Sequence, residues 1–245
     1  MFYSISFDVE LDRLVPEHWT AESTPFITCA AIHSKNGSKL FYTTTNGVKA
    51  PRMSLDDAAK LFDELWDHTM QGAIIISWGG TAVDFRALYF ALHGDYDRQC
   101  KCKMLVMNFH IDIPIASSTD TGMMMGLDAA AKGTGQGEKS NTESSDAPRL
   151  WEAGEFDRVL THVEQDAILT LKVYEHMMNL KPASLQWTTK SGKSKTWYCS
   201  TQYDGIRNLY RLNTVSECLM IPMKPVPFEI PQCMNRDYIA LWLFN

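Results

Sequence analysis

The chain has 245 residues, 45% of them hydrophobic, enough to bury a full core in one large domain or in one domain with an extension. With 23 Lys and Arg against 29 Asp and Glu its net charge is -6, which excludes a global pull towards phosphate or an anionic membrane. Any nucleic-acid contact must then be local or carried by metal.

In chain order, "ISFDVELD" alternates Ile5, Phe7, Val9 and Leu11 with Ser6, Asp8, Glu10 and Asp12, a β-strand whose second face carries successive acids. "TPFITCAAIHS" and "KLFYTTT" flank "KNGS", whose Asn36-Gly37 predicts a hairpin turn and so three adjoining antiparallel strands. "MSLDDAAKLFDELWDHTMQG" predicts an amphipathic helix with Ser54 as N-cap and Gly72 as stop. "AIIISW" is a continuously apolar run, the mark of a central strand buried on both faces and joined by a parallel crossover. "DFRALYFALHG" reads as a helix, "MLVMNFHIDI" as a further strand, and "GLDAAAKG" as a short helix between glycines. "GTGQGEKSNTESSDAP" has loop composition, after which "RLWEAGEFDRVLTHVEQDAILTLKVYEHMMNL" predicts a long helix closing the core. Beyond Pro182 the character changes to a hairpin in "LQWTTKSGKSKTWYCS", a proline-rich segment and a final short helix "DYIALWLF". The expected division is 1–182 for the α/β domain and 183–245 for a C-terminal extension.

Six cysteines without a C-x-x-C pair are expected as reduced thiols. No leader-like segment opens the chain and no window approaches the roughly 20 apolar residues of a membrane span, so a cytoplasmic location and no membrane partner are expected.

Acidic residues cluster at the ends of these elements. Asp8 and Glu10 share a strand face, Asp84 follows the buried strand and a turn, and Asp166 lies four residues after His162 on one face of the last helix. Carboxylates sharing a low-dielectric cleft repel one another unless cations neutralise them, and hard divalent ions suit oxygen ligands. Taken singly, Asp8 and Glu10 read as solvated edge residues, Asp84 as a helix cap, and His162 with Asp166 as an exposed helical pair. His110 and Asp112 fit core packing or a buried hydrogen bond better than the site. Trp78, Trp151 and Trp187 could stack on bases, but tryptophans are mainly core. Lys132, Lys139 and the basic turn "KSGKSK" are candidate phosphate contacts.

"FDVEL", "SWGGTAVDFRAL" and "HVEQDAILTLKVY" resemble, in order and spacing, the three motifs of the DEDD superfamily of 3′–5′ exonucleases, most closely the proofreading exonucleases of family B DNA polymerases. "GLDAAAKGTGQGEKS" resembles the segment before that group's third motif. The resemblance implies a ribonuclease H-like α/β fold: a mixed sheet of three antiparallel strands plus parallel strands, flanked by helices. It implies hydrolysis of single-stranded DNA or RNA from 3′ ends to nucleoside 5′-monophosphates with two divalent ions, Mg²⁺ or Mn²⁺. Asp8, Glu10, Asp84 and Asp166 would be metal ligands and, with His162, the catalytic set. Trp78, Gly79, Gly80, Phe85 and Lys132 would contact nucleic acid. In the second motif Gly79 or Gly80 stands where many relatives have Asn. His162 stands at the tyrosine of Y-x-x-x-D, whereas the superfamily's histidine subgroup places its His five residues before the Asp. A competing reading is a nucleic-acid-binding module that kept the fold and lost turnover. A third is a proofreading subunit partnered by a polymerase or repair complex.

Overall fold

A computed structural model of the chain describes residues 3–16, 23–139, 142–189, 191–204, 209–221 and 236–244. Strand β1 (Tyr3–Leu11) lies at the centre of a five-stranded sheet. Its alternation works as the sequence requires, with Ile5, Phe7 and Val9 buried in the main core and Ser6, Asp8 and Glu10 on the other face. Strand β2 (Ile27–Ser34) pairs antiparallel with β1, and β3 (Gly37–Tyr42) antiparallel with β2. Ser34 pairs with Gly37, so the loop residues are Lys35 and Asn36, one position earlier than expected. Gly37 takes φ +112°, a conformation closed to most other residues. A small hairpin of β4 (Thr44–Thr45) and β5 (Val48–Lys49) follows.

Helix α1 (Leu55–Met70) starts where the Ser54 hydroxyl accepts the Asp57 N–H, and it buries Ala58, Leu61, Phe62 and Leu65. Strand β6 (Ala73–Ser77), buried along its whole length, runs parallel to β1. Helices α2 (Asp84–Ala91) and α3 (Tyr96–Phe109) lead to β7 (His110–Asp112), parallel to β6. The strand order β3-β2-β1-β6-β7 with helices packed on it is a mixed α/β sheet of ribonuclease H-like form.

Two readings of this region need correction. Most of "MLVMNFHIDI" belongs to α3, which Asp95 caps and which buries Cys102, Leu105 and Val106 at helical spacing, leaving three residues of strand. Helix α4 (Ile113–Thr121), unread in the sequence, begins directly after β7 because Asp112 caps it and Pro114 fits its first turn. Helix α5 (Leu127–Thr134) matches expectation, whereas the long closing helix is two, α6 (Ala147–Glu152) and α7 (Phe156–Asn179), separated at Gly154 with φ +80°.

Helix α7 packs across the Ser6 face of the sheet. Small residues permit the approach: Cys29 and Ala31 of β2 meet Val159, Val163 and Ala167, and the Ser6 hydroxyl donates to the Ala167 carbonyl at 2.6 Å. The hairpin β8 (Ser184–Thr188) and β9 (Ser194–Tyr198) forms as read, followed by β10 (Thr201–Asp204), β11 (Leu209–Leu212), α8 (Val215–Met220) and α9 (Arg236–Phe244). Leu185, Trp187, Trp197, Leu212 and Val215 join the apolar cluster built on the sheet. The proline-rich segment and Lys190 of the basic turn lie outside the described residues. Among the described residues, no helix is long and apolar enough to cross a membrane.

Candidate active site

Parallel pairing of β1 with β6 extends from Tyr3 to Ser6, so Asp8 and Glu10 project beyond the last β1–β6 pair, near the turn that leaves β6. That turn carries Asp84 as the first residue of α2, with Val83 at the capping position and no side-chain cap. Its shape is held from β7. The Asp112 carboxylate accepts the Gly79 N–H at 3.2 Å and the Thr81 N–H at 2.9 Å, while the Ser77 hydroxyl accepts the Gly80 N–H at 3.0 Å and bonds His110 Nε2 at 2.7 Å. Gly79 has φ +84°, and a Cβ on Gly80 would stand 2.5 Å from Ser77 Oγ and 2.8 Å from Asp84 Oδ2. A side chain at residue 80 would therefore push against Asp84 itself.

Asp8, Glu10, Asp84 and Asp166 line one cavity of about 460 Å³, together with Trp78 and Gly79. Three separate elements converge there. Burial, and then the Asp166 charge, pushes the Asp8 carboxyl well above its ordinary value, with Lys139 pulling the other way. Burial followed by Asp8 and Asp166 does the same to Glu10. Asp84 is raised by burial and then by Asp8, Asp112, Glu10 and Asp166.

The neutralising charge comes from the loop before the third motif. The Lys139 ammonium forms an ion pair with Asp166 Oδ2 and reaches Ser144 Oγ at 3.4 Å. Burial works to lower its pKa, yet Asp166, Asp8 and Glu10 together hold it above the usual lysine value. The Lys139 backbone N–H is tied to Asp128 of α5 at 3.3 Å, which fixes the loop's entry to the site.

His162 is fully buried and stands behind the cavity wall. Its Nε2 lies 3.3 Å from Glu10 Oε1, 3.3 Å from Ser144 Oγ and 3.9 Å from Asp166 Oδ2. Burial lowers its pKa, opposed by the Asp166 charge. His162 is thus brought to Glu10 and Asp166 by α7, although its own ring is not part of the cavity lining.

The remaining sequence expectations divide. Trp78 lies half-buried at the cavity, with its indole N–H donated to the Met125 carbonyl at 3.0 Å. Phe85 cannot touch nucleic acid. It is fully buried, with its ring 4.9 Å from Phe7 and 4.6 Å from His110. Gly80 is likewise buried and serves the turn. Lys132 lies away from the cavity lining and pairs with Asp128 at 2.9 Å on the exposed face of α5. Hairpin residues are absent from the described cavity lining, and Lys195 Nζ lies 3.2 Å from Met123 Sδ. His110 and Asp112 are core residues with buried hydrogen bonds, as read. The supporting roles of Asp112 and Ser144 left no motif signal, since each depends on contacts between separate elements of the chain, and Ser77 joins its local bond to Gly80 with one to His110 of β7.

Four carboxylates offer only hard oxygen donors, the chemistry of Mg²⁺ or Mn²⁺. One of those oxygens, Asp166 Oδ1, is buried without a hydrogen-bond partner, an acceptor that costs free energy unless a cation or donor meets it. Among the described residues, no three His, Cys, Asp or Glu side chains close into a finished cation cage, and Lys139 supplies positive charge instead. The donor set suits divalent ions, with Asp166 Oδ1 left as an acceptor while Oδ2 is held by Lys139.

No family model matches the chain, and no curated protein matches it. Among solved structures it is similar to the family B DNA polymerase from the hyperthermophilic archaeon Pyrobaculum calidifontis, at 11% identity and a TM-score of 0.47, over 69% of this chain and 23% of the polymerase. The chain thus spans less than a quarter of that polymerase's length.

Proposed function

We propose that the protein is a metal-dependent 3′–5′ exonuclease acting on single-stranded nucleic acid ends. The observation that carries the reading is the convergence of Asp8, Glu10, Asp84 and Asp166 from three elements on one cavity, with an unpartnered buried oxygen on Asp166. These residues would hold the ions. When bound, the ions would supply Lewis-acid stabilisation of the attacking and leaving oxygens of an in-line phosphodiester displacement. The chain's own residues set the geometry: His162 orients Glu10, Asp112 and Ser77 hold the turn that aims Asp84, and Trp78 offers a partly exposed aromatic wall at the terminal nucleotide. Lys139 balances the carboxylate charge through Asp166.

A second reading, a binding module without turnover, is favoured by the absence of a closed ligand cage among the described residues and by the Lys139–Asp166 pair. One experiment separates them. End-labelled single-stranded DNA and RNA are incubated with Mg²⁺, Mn²⁺ or EDTA, and the products are identified. Stepwise release of nucleoside 5′-monophosphates that stops in EDTA and in Asp8→Ala is expected of the exonuclease. Persistent cleavage in EDTA, or none with either metal, would remove it.

A further inference from the structure

The carboxylate cavity adjoins another. Arg13 and Pro148 line it and also line a second cavity of about 630 Å³, walled by Asp12, Lys49, Arg52, Trp151 and Phe156. We propose that this second cavity is a backbone-binding site for a single nucleic-acid strand, holding the sugar-phosphates that follow the terminal nucleotide. The proposal rests on the reading of the carboxylate cavity as the place of the strand's end.

Cations outnumber acids in the lining of the second cavity. Its lining carries Arg13, Lys49 and Arg52 against Asp12 and Glu152, a local excess of cations on a chain of net charge -6. Asp12 organises the guanidiniums. It accepts Arg13 Nε and Nη2 at 3.2 Å each, Arg52 Nε at 2.9 Å and the Phe26 N–H at 2.9 Å. Although burial opposes it, these donors hold the Asp12 carboxyl below its ordinary value, so the anchor stays ionised. Both arginine side chains nevertheless remain 47% exposed. Arg52 uses only Nε on Asp12 and lays its guanidinium 4.0 Å from the ring centroid of Phe26, which leaves both amino groups as a pre-oriented fork. A planar fork of this kind matches phosphate oxygens.

Aromatic surface interleaves with these cations. Lys49 Nζ sits 5.6 Å from the ring centroids of both Tyr42 and Phe156, and its ion partner Asp157 is 93% exposed and readily exchanged. Phe26 is 45% exposed and Leu14, lining the first cavity, is 64% exposed. Behind them the buried Trp151 is held by its indole N–H, donated to the Ala50 carbonyl at 3.0 Å. Cations that track a backbone, set among aromatic and apolar faces, are how proteins hold single strands without reading their sequence.

The test is fluorescence anisotropy with a 5′-labelled ten-nucleotide oligothymidylate in EDTA, titrated at several salt concentrations, with thermal melting as the check on folding. The double variant Lys49→Ala/Arg52→Ala should bind at least tenfold more weakly, and its slope of log affinity against log salt should fall by about 1.4, roughly 0.7 for each lost phosphate contact. Glu152→Lys, an exposed substitution at the cavity's edge, should tighten binding and steepen the slope by about 0.7. Wild-type affinity and slope in the double variant, no tightening in Glu152→Lys, or no strand binding by the wild type would overturn the proposal. So would equal affinity for polyglutamate of the same length, which would make the surface a general anion site. Because binding is read in EDTA, the two conclusions fail separately. A wild type that binds through Lys49 and Arg52 but never cleaves loses only the exonuclease assignment, and one that cleaves while the variants bind normally loses only the strand site.

Discussion

Lys139 and His162 both act on the carboxylates from outside the quartet, by different means. Lys139 neutralises Asp166 where a divalent ion would otherwise be needed, so Lys139→Met should expose the repulsion among Asp8, Glu10 and Asp166. In EDTA the variant should lose about 1–3 kcal/mol of stability, less than the roughly 3–5 kcal/mol of a fully buried pair because the lysine keeps 24% exposure. Its Mn²⁺ affinity in calorimetric titration should rise several-fold, since the ion no longer competes with an ammonium; an affinity that falls would show that Lys139 helps to hold the ion. His162 lies 3.3 Å from Glu10 and outside the cavity lining, where under the proposed function it would orient Glu10 as a ligand. His162→Ala should therefore lose about 10–100-fold in cleavage rate, the range for such supporting partners, with its pH–rate profile unchanged in shape. A loss beyond about 10³-fold together with disappearance of the acidic limb would instead place the imidazole on the reacting water. The sequence displays His162 and Asp166 as a helical pair, but it carries no sign of which side of Glu10 the ring occupies.

At the scale of elements, the hairpin β8–β9 is seated on helix α5 at one glycine. A Cβ on Gly133 would stand 2.2 Å from the Gln186 carbonyl oxygen and 2.6 Å from Trp187 Cα, and both obstacles are backbone that cannot turn aside. Gly133→Ala should cost about 1–3 kcal/mol by forcing the hairpin away from Ala130 and Ala131, lowering the thermal midpoint by roughly 2–4 °C per kcal/mol. Gly126→Ala, where a Cβ meets nothing within 4 Å, is the control in the same helix's approach. Equal denaturation curves for Gly133→Ala and the wild type would mean that the hairpin does not rest there. Elements whose pattern is self-contained, such as α1 with its cap and apolar stripe or the apolar β6, are plain in the sequence. The boundary between α3 and β7 is not, because helix and strand meet within one mixed apolar run and strand pairing with β6 extends over only three residues.

For the whole molecule, His110 links the fold to pH. Burial lowers its imidazole to about 3, so in the folded protein it stays neutral against Ser77 and Phe85 while the unfolded chain takes a proton near pH 6.5. Its contribution is complete above pH 6.5 and is lost as pH falls towards 3, at a limiting slope of about 1.4 kcal/mol per pH unit. Urea midpoints measured from pH 7.5 to 4.5 should fall less steeply in His110→Gln than in the wild type. Parallel slopes would assign acid sensitivity to other groups.

The sequence by itself determined the alternation that puts Asp8 and Glu10 on one strand face, the helical spacing of His162 and Asp166, the buried strand before Asp84, and the hairpin after Pro182, because each is a local period or turn chemistry. Only the tertiary structure decided that Lys139 enters the acidic cluster while Lys132 stays outside, that Phe85 is core, that Asp112 braces the Gly79–Thr81 turn, and that Arg13, Lys49 and Arg52 gather at one cavity. The contacts of Lys139 with Asp166, of Asp112 with the turn and of Asp12 with Arg52 join residues about 30 to 40 positions apart and depend on which sheet edges and helix faces meet, information that no local period contains.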